Sequence, residues 1–309
     1  MHEYDTIIIG GGPAGLSAAL YSSRAMLKTL VLESATVGGQ ITSTTDVENY
    51  PGSISNNAQE VVTRMKEQAL AFGGEIKLEK FKELTQKDKY FYVQTDKEEY
   101  KCKAIIAATG SYPMNIGCKG ELEYRGMGVS YCATCDANFF RGLNVTVVGG
   151  GDSAVEEGLY LTKFADKVTL IHRRDTLRAA KSIQEKAFAN PKMEFMWDST
   201  VEEIKGDGVV KSIVVKNIKT NEITELETDG VFVFIGYEPN SDEFIDYVKL
   251  DEKGNIMSDE NMNTNVPGIF VAGDVRSKLL KQVVTAVSDG AIAAISAEKY
   301  IAHLSPDPR

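Results

Sequence analysis

The 309 residues of the chain are enough for two domains of ordinary size, and a composition of 43% hydrophobic and 25% charged residues is typical of a soluble globular protein. The formal net charge of −10 argues against a nucleic-acid partner, because binding to a phosphate backbone requires clustered Lys and Arg. No stretch reaches the roughly 20 apolar residues that cross a bilayer, and the N-terminal segment is acidic, so we expect a cytoplasmic protein without a membrane partner.

The first predicted element is an apolar β-strand, Thr6–Ile9, which leads into a glycine-rich turn and an Ala- and Leu-rich helix. The turn has the G-x-G-x-x-G spacing of loops that place a pyrophosphate at a helix N-terminus. The next predicted strand, Thr29–Glu33, ends in an acid placed to bind a ribose. The residues predicted to bind this first dinucleotide are Gly10, Gly12, Pro13, Ala14, Gly15 and Glu33. The alternative is a glycine-rich turn without a ligand.

Short strands are predicted next at 90–95 and 104–107. The second of these is followed by Thr109 and Gly110, which we expect to close over the same dinucleotide.

Cys132 and Cys135 form a C-x-x-C pair, whose spacing allows the sulfurs to bond within one turn and to cycle between dithiol and disulfide. Asp136 adds a titratable group beside them. Zinc is one alternative, but structural zinc sites have four ligands, and neither Cys102 nor Cys118 belongs to a second pair. We therefore expect no metal, and ordinary packing roles for Cys102 and Cys118. An inert buried pair is the other alternative.

A second strand, turn and helix begin at residue 145 and repeat the glycine spacing, but the acid at the end of the following strand is replaced by a basic run. Guanidinium groups bind a 2′-phosphate, which a carboxylate would repel, so NADPH is preferred over NADH here. The residues predicted to bind it are Gly149, Gly151, Asp152, Ser153, Ala154, His172, Arg173, Arg174 and Arg178. The alternative is a basic patch on a solvated face. The first loop lacks an arginine cluster and suits FAD.

The last landmark is an apolar strand at 268–271 that ends near Asp274, which we expect to bind flavin hydroxyls, followed by a predicted helix over 283–300. Gly- and Pro-containing segments near 111–113 and 236–240 are candidate hinges. The sequence thus predicts an α/β protein with two Rossmann-like dinucleotide-binding domains. The NADPH domain with the C-x-x-C pair, 114–242, is inserted into an FAD domain made of 1–113 and 243–309.

Six motifs in this order make the chain similar to the bacterial low-molecular-weight thioredoxin reductases. They are GGGPAGLSAALY, GGQITSTTDVENYPG, CATCD, GGGDSAVEEG, HRRDTLRA and IFVAGDVR. The resemblance implies a homodimer in which NADPH reduces FAD, FAD reduces the Cys132–Cys135 disulfide, and the dithiol reduces thioredoxin. It further implies that Cys135 faces the flavin, that Cys132 attacks the partner's disulfide and that Asp136 is the acid/base. Further FAD-binding residues expected from it are Gly39, Gln40, Asn49, Lys281, Gln282 and Val283.

Both the pyridine nucleotide and the disulfide belong to the inserted domain, so they are expected to meet the flavin in turn by rotation at hinges near 111–117 and 236–243. The chain departs from the family where Ala137 and Asn138 follow the CATCD motif, a place where Gly is usual, and where Lys281 replaces Arg. Lys keeps the charge but loses the planar fork.

Other functions remain open. A ferredoxin-dependent relative would be expected to lack the second glycine loop and its arginines, and a ferredoxin–NADP reductase would lack the C-x-x-C pair. The same site would also serve a peroxiredoxin-linked or glutaredoxin-like partner. A noncatalytic nucleotide sensor is the alternative from a different class.

Overall fold

The computed structural model describes residues 1–43, 47, 49–53 and 57–304. Contacts divide the chain into two compact units: unit 1 comprises Met1–Tyr112 and Glu238–Arg309, and unit 2 comprises Pro113–Tyr237. The sequence predicted that the inserted domain ends at residue 242, whereas unit 2 ends at Tyr237. Which cofactor each unit binds stays a prediction.

The helices and strands alternate along the chain. The N-terminal part of unit 1 contains β1 (His2–Glu3), β2 (Thr6–Ile9), α1 (Pro13–Arg24), β3 (Thr29–Glu33), α2 (Ala58–Ala71), β4 (Glu75–Leu78), β5 (Phe81–Lys87), β6 (Tyr90–Thr95), β7 (Glu99–Cys102) and β8 (Ala104–Ala107), with β9 (Ser111–Pro113) where the chain enters unit 2. Unit 2 contains β10 (Val129–Ser130), α3 (Ala133–Asp136), β11 (Asn144–Val148), α4 (Asp152–Leu161), β12 (Lys167–Ile171), α5 (Lys181–Phe188), β13 (Met193–Met196), β14 (Ser199–Asp207), β15 (Val209–Asn217), β16 (Ile223–Glu227) and β17 (Gly230–Val233). The chain returns to unit 1 with β18 (Tyr237–Pro239), β19 (Ile269–Val271) and α6 (Val283–Leu304).

The described residues of unit 1 form a five-stranded parallel sheet in the order β19-β8-β2-β3-β4. Side chains alternate between its faces, as the pleat requires. Ile7 and Ile9 pack in one core with Phe91 of the antiparallel sheet β1-β7-β6-β5, whereas Ile8 packs in a second core with Ala293 of α6. β2 is buried on both faces, which explains its continuous apolar sequence.

Unit 2 has the same layered plan. Its described residues form a parallel sheet in the order β10-β17-β11-β12-β13 and an antiparallel sheet in the order β14-β15-β16. Val147 packs in a core with Val155 of α4, and Val148 packs in a separate core with Val215 of β15. The predicted α/β class with two Rossmann-like sheets is confirmed.

Strand register places the candidate residues of each unit at one edge. In unit 1, Ile9 is paired with Leu32 of β3 and with Ala107 of β8, so the turns after these strands leave the sheet at the same carboxyl edge. In unit 2, Val148 is paired with Ile171 and Val233 in the same way. Ligands of open parallel sheets bind at this edge.

Candidate functional site

The first glycine loop has a backbone that only glycine fits. Gly10 has a φ of 109°, and a Cβ there would collide with the carbonyl oxygen of Ala108. A Cβ on Gly15 would collide with the carbonyl oxygen of Gly10, so α1 begins close against β2. Gly12 is the N-cap of α1 without a side-chain cap, and Pro13 opens the first turn. The N–H groups at this terminus therefore have no capping side chain and can receive an anion.

Glu33 lies at the end of β3 and is buried. Its Oε2 accepts a hydrogen bond from the Gly11 N–H at 2.7 Å, and its Oε1 accepts one from the Ala35 N–H at 2.8 Å. The carboxylate is thus fixed against the glycine loop. Each oxygen retains a second lone pair, so the group still fits the ribose role that the sequence predicted.

The Gly38–Gly39 turn lies against the same loop. The Gly38 N–H donates to the Gly11 carbonyl at 2.8 Å, and a Cβ on Gly39 would come within 3.2 Å of the Gly12 Cα. Gln40 follows in the short 3₁₀ helix Gly39–Ser43. Positions 44–46 and 48 of the predicted flavin motif lie outside the described residues.

Asn49 links this motif to the start of α6. Its Nδ2 donates to Gln282 Oε1 at 2.9 Å, and Val283 is the first residue of α6. Lys281 Nζ donates to Asn255 Oδ1 at 2.9 Å, and burial lowers the pKa of this ammonium group. Of the predicted residues, Asn49 therefore contacts Gln282, and Lys281 and Val283 are the neighbours of Gln282 in the chain.

Thr109 and Gly110 continue from β8 at the same edge. Thr109 Oγ1 donates to the Asn240 carbonyl at 2.5 Å, and Asn240 Nδ2 donates back to the Thr109 carbonyl at 2.9 Å. The Asn240 N–H also donates to the Gly110 carbonyl at 3.0 Å. Asn240, which the sequence did not single out, fixes this strand end.

Asp274 follows β19, and burial raises the pKa of its carboxyl group. Its Oδ1 is buried and accepts no well-directed hydrogen bond from the described residues, although Lys278 Nζ forms an ion pair with it at 3.1 Å. A buried carboxylate oxygen with an open acceptor position fits a hydroxyl donor such as those of a flavin chain. Because of this open acceptor position, Asp274 fits the role in FAD binding that the sequence predicted for unit 1.

The sequence missed a buried charged cluster beside Asp274. Asp289 of α6 accepts hydrogen bonds from the Gly273 N–H at 3.1 Å, from Arg276 Nη1 at 3.0 Å and from Lys278 Nζ at 3.0 Å. Its side chain is 8% exposed. The cluster joins the β19 turn to α6 and thereby holds Asp274 in place. Asp289 stands in an Ala-rich helix and matches no motif, so nothing in the sequence indicated it.

The second glycine loop repeats the geometry of the first. Gly149 has a φ of 148°, and a Cβ there would collide with the carbonyl oxygen of Phe234. Gly151 is the N-cap of α4 without a side-chain cap. Ala154 replaces the third glycine and is fully buried. Asp152 Oδ1 accepts a hydrogen bond from the Ala180 N–H at 2.7 Å, which ties the start of α4 to the arginine-containing segment.

His172 packs under this loop, where a Cβ on Gly150 would collide with its ring. It is 5% exposed, and its Nε2 is buried without a hydrogen-bond partner among the described residues. Burial lowers the pKa of the imidazole, and the positive charges of Arg178, Arg174 and Arg173 lower it further. The predicted cluster therefore consists of an imidazole whose charged form is disfavoured, beside three guanidinium groups.

Arg173, Arg174 and Arg178 are exposed. No ion pair or hydrogen bond from their side chains is formed with the described part of the chain, while the Arg178 N–H donates to the Gly150 carbonyl at 2.7 Å. Three guanidinium groups without carboxylate partners at the edge of a nucleotide loop fit the extra phosphate of NADPH.

Cys132 and Cys135 are joined by a disulfide, with Cα atoms 5.3 Å apart. Cys132 is the N-cap of α3, and the Cys135 N–H donates to Cys132 Sγ at 3.2 Å. Both residues are partly exposed, so the bond is accessible to another thiol. The predicted pairing is present in unit 2.

Asp136 lies at the end of α3, where burial raises the pKa of its carboxyl group. Ser130 Oγ donates to Asp136 Oδ2 at 2.5 Å, and the Cys132 N–H donates to Ser130 Oγ at 3.1 Å. The sequence did not indicate Ser130, which connects the acid to the first cysteine. A carboxyl group with a raised pKa beside two sulfurs is suited to holding or giving a proton.

Cys102 and Cys118 are free cysteines. Burial raises the pKa of the Cys102 thiol, and it raises that of Cys118 to about 11, with a further contribution from Glu121. Within residues 1–43, 47, 49–53 and 57–304, no three His, Cys, Asp or Glu side chains form a group that could hold a metal ion. No helix in these ranges is long and apolar enough to span a bilayer.

Comparison with known proteins agrees with this geometry. The chain matches the pyridine nucleotide-disulphide oxidoreductase family over residues 4–290. It is 56% identical to a thioredoxin reductase of Peptoclostridium acidaminophilum over 305 residues, which cover 96% of this chain and 97% of that protein. It is 49% identical to a thioredoxin reductase of Bacillus subtilis over 302 residues, 97% and 96% of the two chains.

The crystal structure of a thioredoxin reductase from Streptococcus pyogenes superposes with a TM-score of 0.93 at 44% identity, over 97% of this chain and 99% of that one. These likenesses span nearly the whole length of both partners in each comparison. The chain therefore belongs to the pyridine nucleotide-disulphide oxidoreductase family, among its bacterial thioredoxin reductases.

Proposed function

We propose that the chain is an NADPH-dependent thioredoxin-disulfide reductase that acts as a cytoplasmic homodimer. The observation that supports this most strongly is the accessible Cys132–Cys135 disulfide in the same unit as a glycine loop with three arginines that form no ion pair with the described residues. Such a unit combines a site for a phosphorylated pyridine nucleotide with a group that accepts two electrons.

The glycine loop of unit 1, Glu33 and Asp274 would hold FAD, and the second loop with Arg173 and Arg174 would hold NADPH. When bound, FAD supplies two-electron transfer between the pyridine nucleotide and the disulfide. The chain's own residues bind and orient these groups. The two glycine loops provide helix N-termini for the pyrophosphates, and the acids fix hydroxyl groups.

The thiol steps belong to the cysteine pair itself. After two electrons reduce the disulfide, the Cys132 thiolate attacks a disulfide sulfur of thioredoxin and displaces one thiolate, which forms a mixed disulfide. The Cys135 thiolate then attacks Cys132 Sγ, which restores the intramolecular bond and releases reduced thioredoxin. Asp136, whose pKa is raised by burial, gives a proton to the departing sulfur and takes one from the next attacking thiol.

Support for the homodimer comes from the family resemblance and from α6, where Val284, Ile292 and Ile295 are exposed apolar side chains. Sedimentation or light scattering of the flavin-loaded protein measures its molecular mass in solution directly. A mass of two chains is expected, and a monomer at working concentration contradicts this part of the proposal.

The Cys135→Ser variant tests the assignment of the redox pair. We expect flavin bleaching by NADPH to be retained and thioredoxin turnover to be abolished, because the mixed disulfide cannot be resolved. Cys118→Ser is the matched control and should keep full turnover. NADPH consumption is measured against thioredoxin and against a panel of glutaredoxin-like and peroxiredoxin-linked disulfides. Full thioredoxin turnover by Cys135→Ser would refute the proposal.

A further inference from the structure

Helix α4 contributes to two sites of unit 2. Its first residue follows the second glycine loop, and one of its faces packs against α3, the turn that contains the redox pair. Ala154 and Leu161 of α4 share a core with Ala133 of α3. Glu157 is three residues after Ala154 and four before Leu161, a spacing that places it on the same helix face. A carboxyl group therefore lies between α4 and the redox turn.

This carboxyl group is partly buried and incompletely satisfied. Glu157 Oε2 is buried and accepts no hydrogen bond from the described residues. The backbone N–H of Ala133 favours the charged form of the Glu157 carboxyl group. Ala133 is fully buried and follows Cys132 directly. Burying a carboxylate oxygen without a hydrogen-bond partner costs free energy. Such a cost is unusual for a side chain that only fills space.

The charges around Glu157 do not neutralise it. Glu156 adds negative charge beside it, and burial and Glu156 together raise the pKa of Glu157, against the effect of the Ala133 N–H. Asp136 is the charged residue of α3, and Asp152 is at the start of α4. The other charged side chains on helices and strands packed against α4 are Lys181, Glu185 and Lys186 of α5 and Lys167 of β12. None of these forms an ion pair with Glu157 in the part of the chain that the structure describes, and Lys167 pairs with Glu194.

We propose that Glu157 is a positioning residue of the redox pair, which holds the Ala133 N–H and whose negative charge opposes thiolate formation in the reduced cysteines. The inference rests on the proposed function, because it concerns the reduced state of the disulfide. Reduction takes two electrons and two protons to give two thiols, and loss of one proton then gives the thiolate. That step adds a negative charge at the redox turn, so ionised Glu157 and the thiolate disfavour each other.

The test measures thiol titration without NADPH or thioredoxin. Flavin-loaded protein is reduced anaerobically with a phosphine, desalted and alkylated with iodoacetamide over a range of pH, and Cys132 and Cys135 are quantified by mass spectrometry. Glu157→Gln keeps an oxygen acceptor for the Ala133 N–H but removes the charge. We expect the apparent thiol pKa of this variant to fall by about one unit. At a pH below the titration midpoints of both proteins, the variant's thiol should then be alkylated about threefold faster than that of the wild type. The thiolate fraction is larger in the variant, but each thiolate is less basic and therefore a weaker nucleophile, which offsets part of the gain.

Glu185→Gln is the matched control, because it removes the same charge from an exposed position on α5. Its thiol titration should coincide with that of the wild type. The proposal is overturned if the thiol titration of Glu157→Gln coincides with that of the wild type, or if the thiol pKa shifts equally in Glu157→Gln and Glu185→Gln.

Should Glu157→Gln not fold, redox-difference infrared spectra of Asp136→Asn, which lacks the other buried carboxyl group of the redox turn, provide the second measurement. Reduction of the pair is expected to change the band of a buried carboxyl group, and an unchanged carboxyl region overturns the proposal. Thioredoxin turnover of the wild type is assayed separately. Its absence contradicts the proposed function, whereas an unshifted thiol titration in an active enzyme contradicts only the role of Glu157.

Discussion

Arg173 and Arg174 are the residues on which the choice between NADPH and NADH depends. Both are exposed beside the second glycine loop, and no carboxylate of the described chain pairs with them. Replacing both by Ala should lower kcat/KM for NADPH by roughly 10- to 100-fold, since hydrogen bonds to charged groups contribute about 1.5–3 kcal/mol. The value for NADH should change little. Lys186→Ala, which removes a positive charge from α5, is the control. If the ratio of kcat/KM for NADPH to kcat/KM for NADH is unchanged in the double variant, Arg173 and Arg174 do not bind the 2′-phosphate.

Asp136 has a pH-dependent effect on stability whose sign follows from its environment. Burial raises the pKa of its carboxyl group in the folded protein above the unfolded value of about 3.9. The folded state then binds more protons, so the free energy of unfolding falls as pH rises from the unfolded pKa through the folded pKa. Asp136→Asn should therefore have a higher Tm than the wild type at pH 7, and the difference should shrink toward pH 4. Tm measured by near-ultraviolet circular dichroism checks this.

The same variant separates stability from chemistry. Asp136→Asn should reduce thioredoxin more slowly while flavin reduction by NADPH is retained. A Tm difference between Asp136→Asn and the wild type that grows as the pH is lowered contradicts burial as the cause of the raised Asp136 pKa.

Residues within motifs were predictable because local geometry restricts them. Gly10 and Gly149 adopt positive φ and approach a neighbouring strand, which leaves glycine as the residue that fits. Asp289 was missed because its partners lie in the turn after β19, away from it along the chain. Ser130 was missed although its partners Asp136 and Cys132 are close in sequence, because a serine before the C-x-x-C pair matches no motif. Glu33 was predicted as a ribose ligand, and the structure adds that it fixes the Gly11 N–H.

Elements with strong signals were predicted closely. β6 and β8 have the predicted bounds, and the predicted Ala- and Leu-rich helix follows the first glycine turn as α1. The antiparallel strands β5, β14 and β16 were not predicted. Their sequences, such as ITELE in β16, alternate weakly and are largely polar, so they become strands through pairing with β15 and β6. Tertiary pairing of this kind leaves little trace in a single sequence.

The packing of α6 on α1 is an element-scale feature that a single substitution tests. A Cβ on Gly290 of α6 would collide with the carbonyl oxygen of Ala14 in α1. Gly290→Ala should therefore separate the helices, with a loss of about 1–3 kcal/mol in the free energy of unfolding and weaker FAD retention. Thermal unfolding and flavin content measure the two effects.

Gly158→Ala in α4 is the matched control. A Cβ there would come 3.2 Å from the flexible Met193 Cε, and Ala favours a helix over Gly by about 1 kcal/mol. This variant should be near neutral. Equal Tm values for Gly290→Ala and the wild type contradict the close approach of the two helices.

At the scale of the whole molecule, the sequence shows two glycine loops, and the structure shows that each belongs to a unit of the same plan. In both units a parallel sheet is covered by helices on one face and by an antiparallel sheet on the other. The chain crosses between units near residues 112 and 237. The second crossing lies before the predicted 242 because Glu238, Pro239 and Asn240 pack with unit 1, as the Asn240 hydrogen bonds to Thr109 show.

The most direct measurement follows electrons from NADPH to thioredoxin in one experiment. Flavin-loaded protein is mixed anaerobically with NADPH and then with oxidised thioredoxin, while flavin absorbance and thioredoxin thiols are recorded. We expect flavin absorbance to bleach with NADPH and to return with thioredoxin, with two thiols formed for each NADPH consumed, as a two-electron couple requires. Flavin that is not bleached by NADPH, or that stays bleached while thioredoxin remains oxidised, contradicts the account.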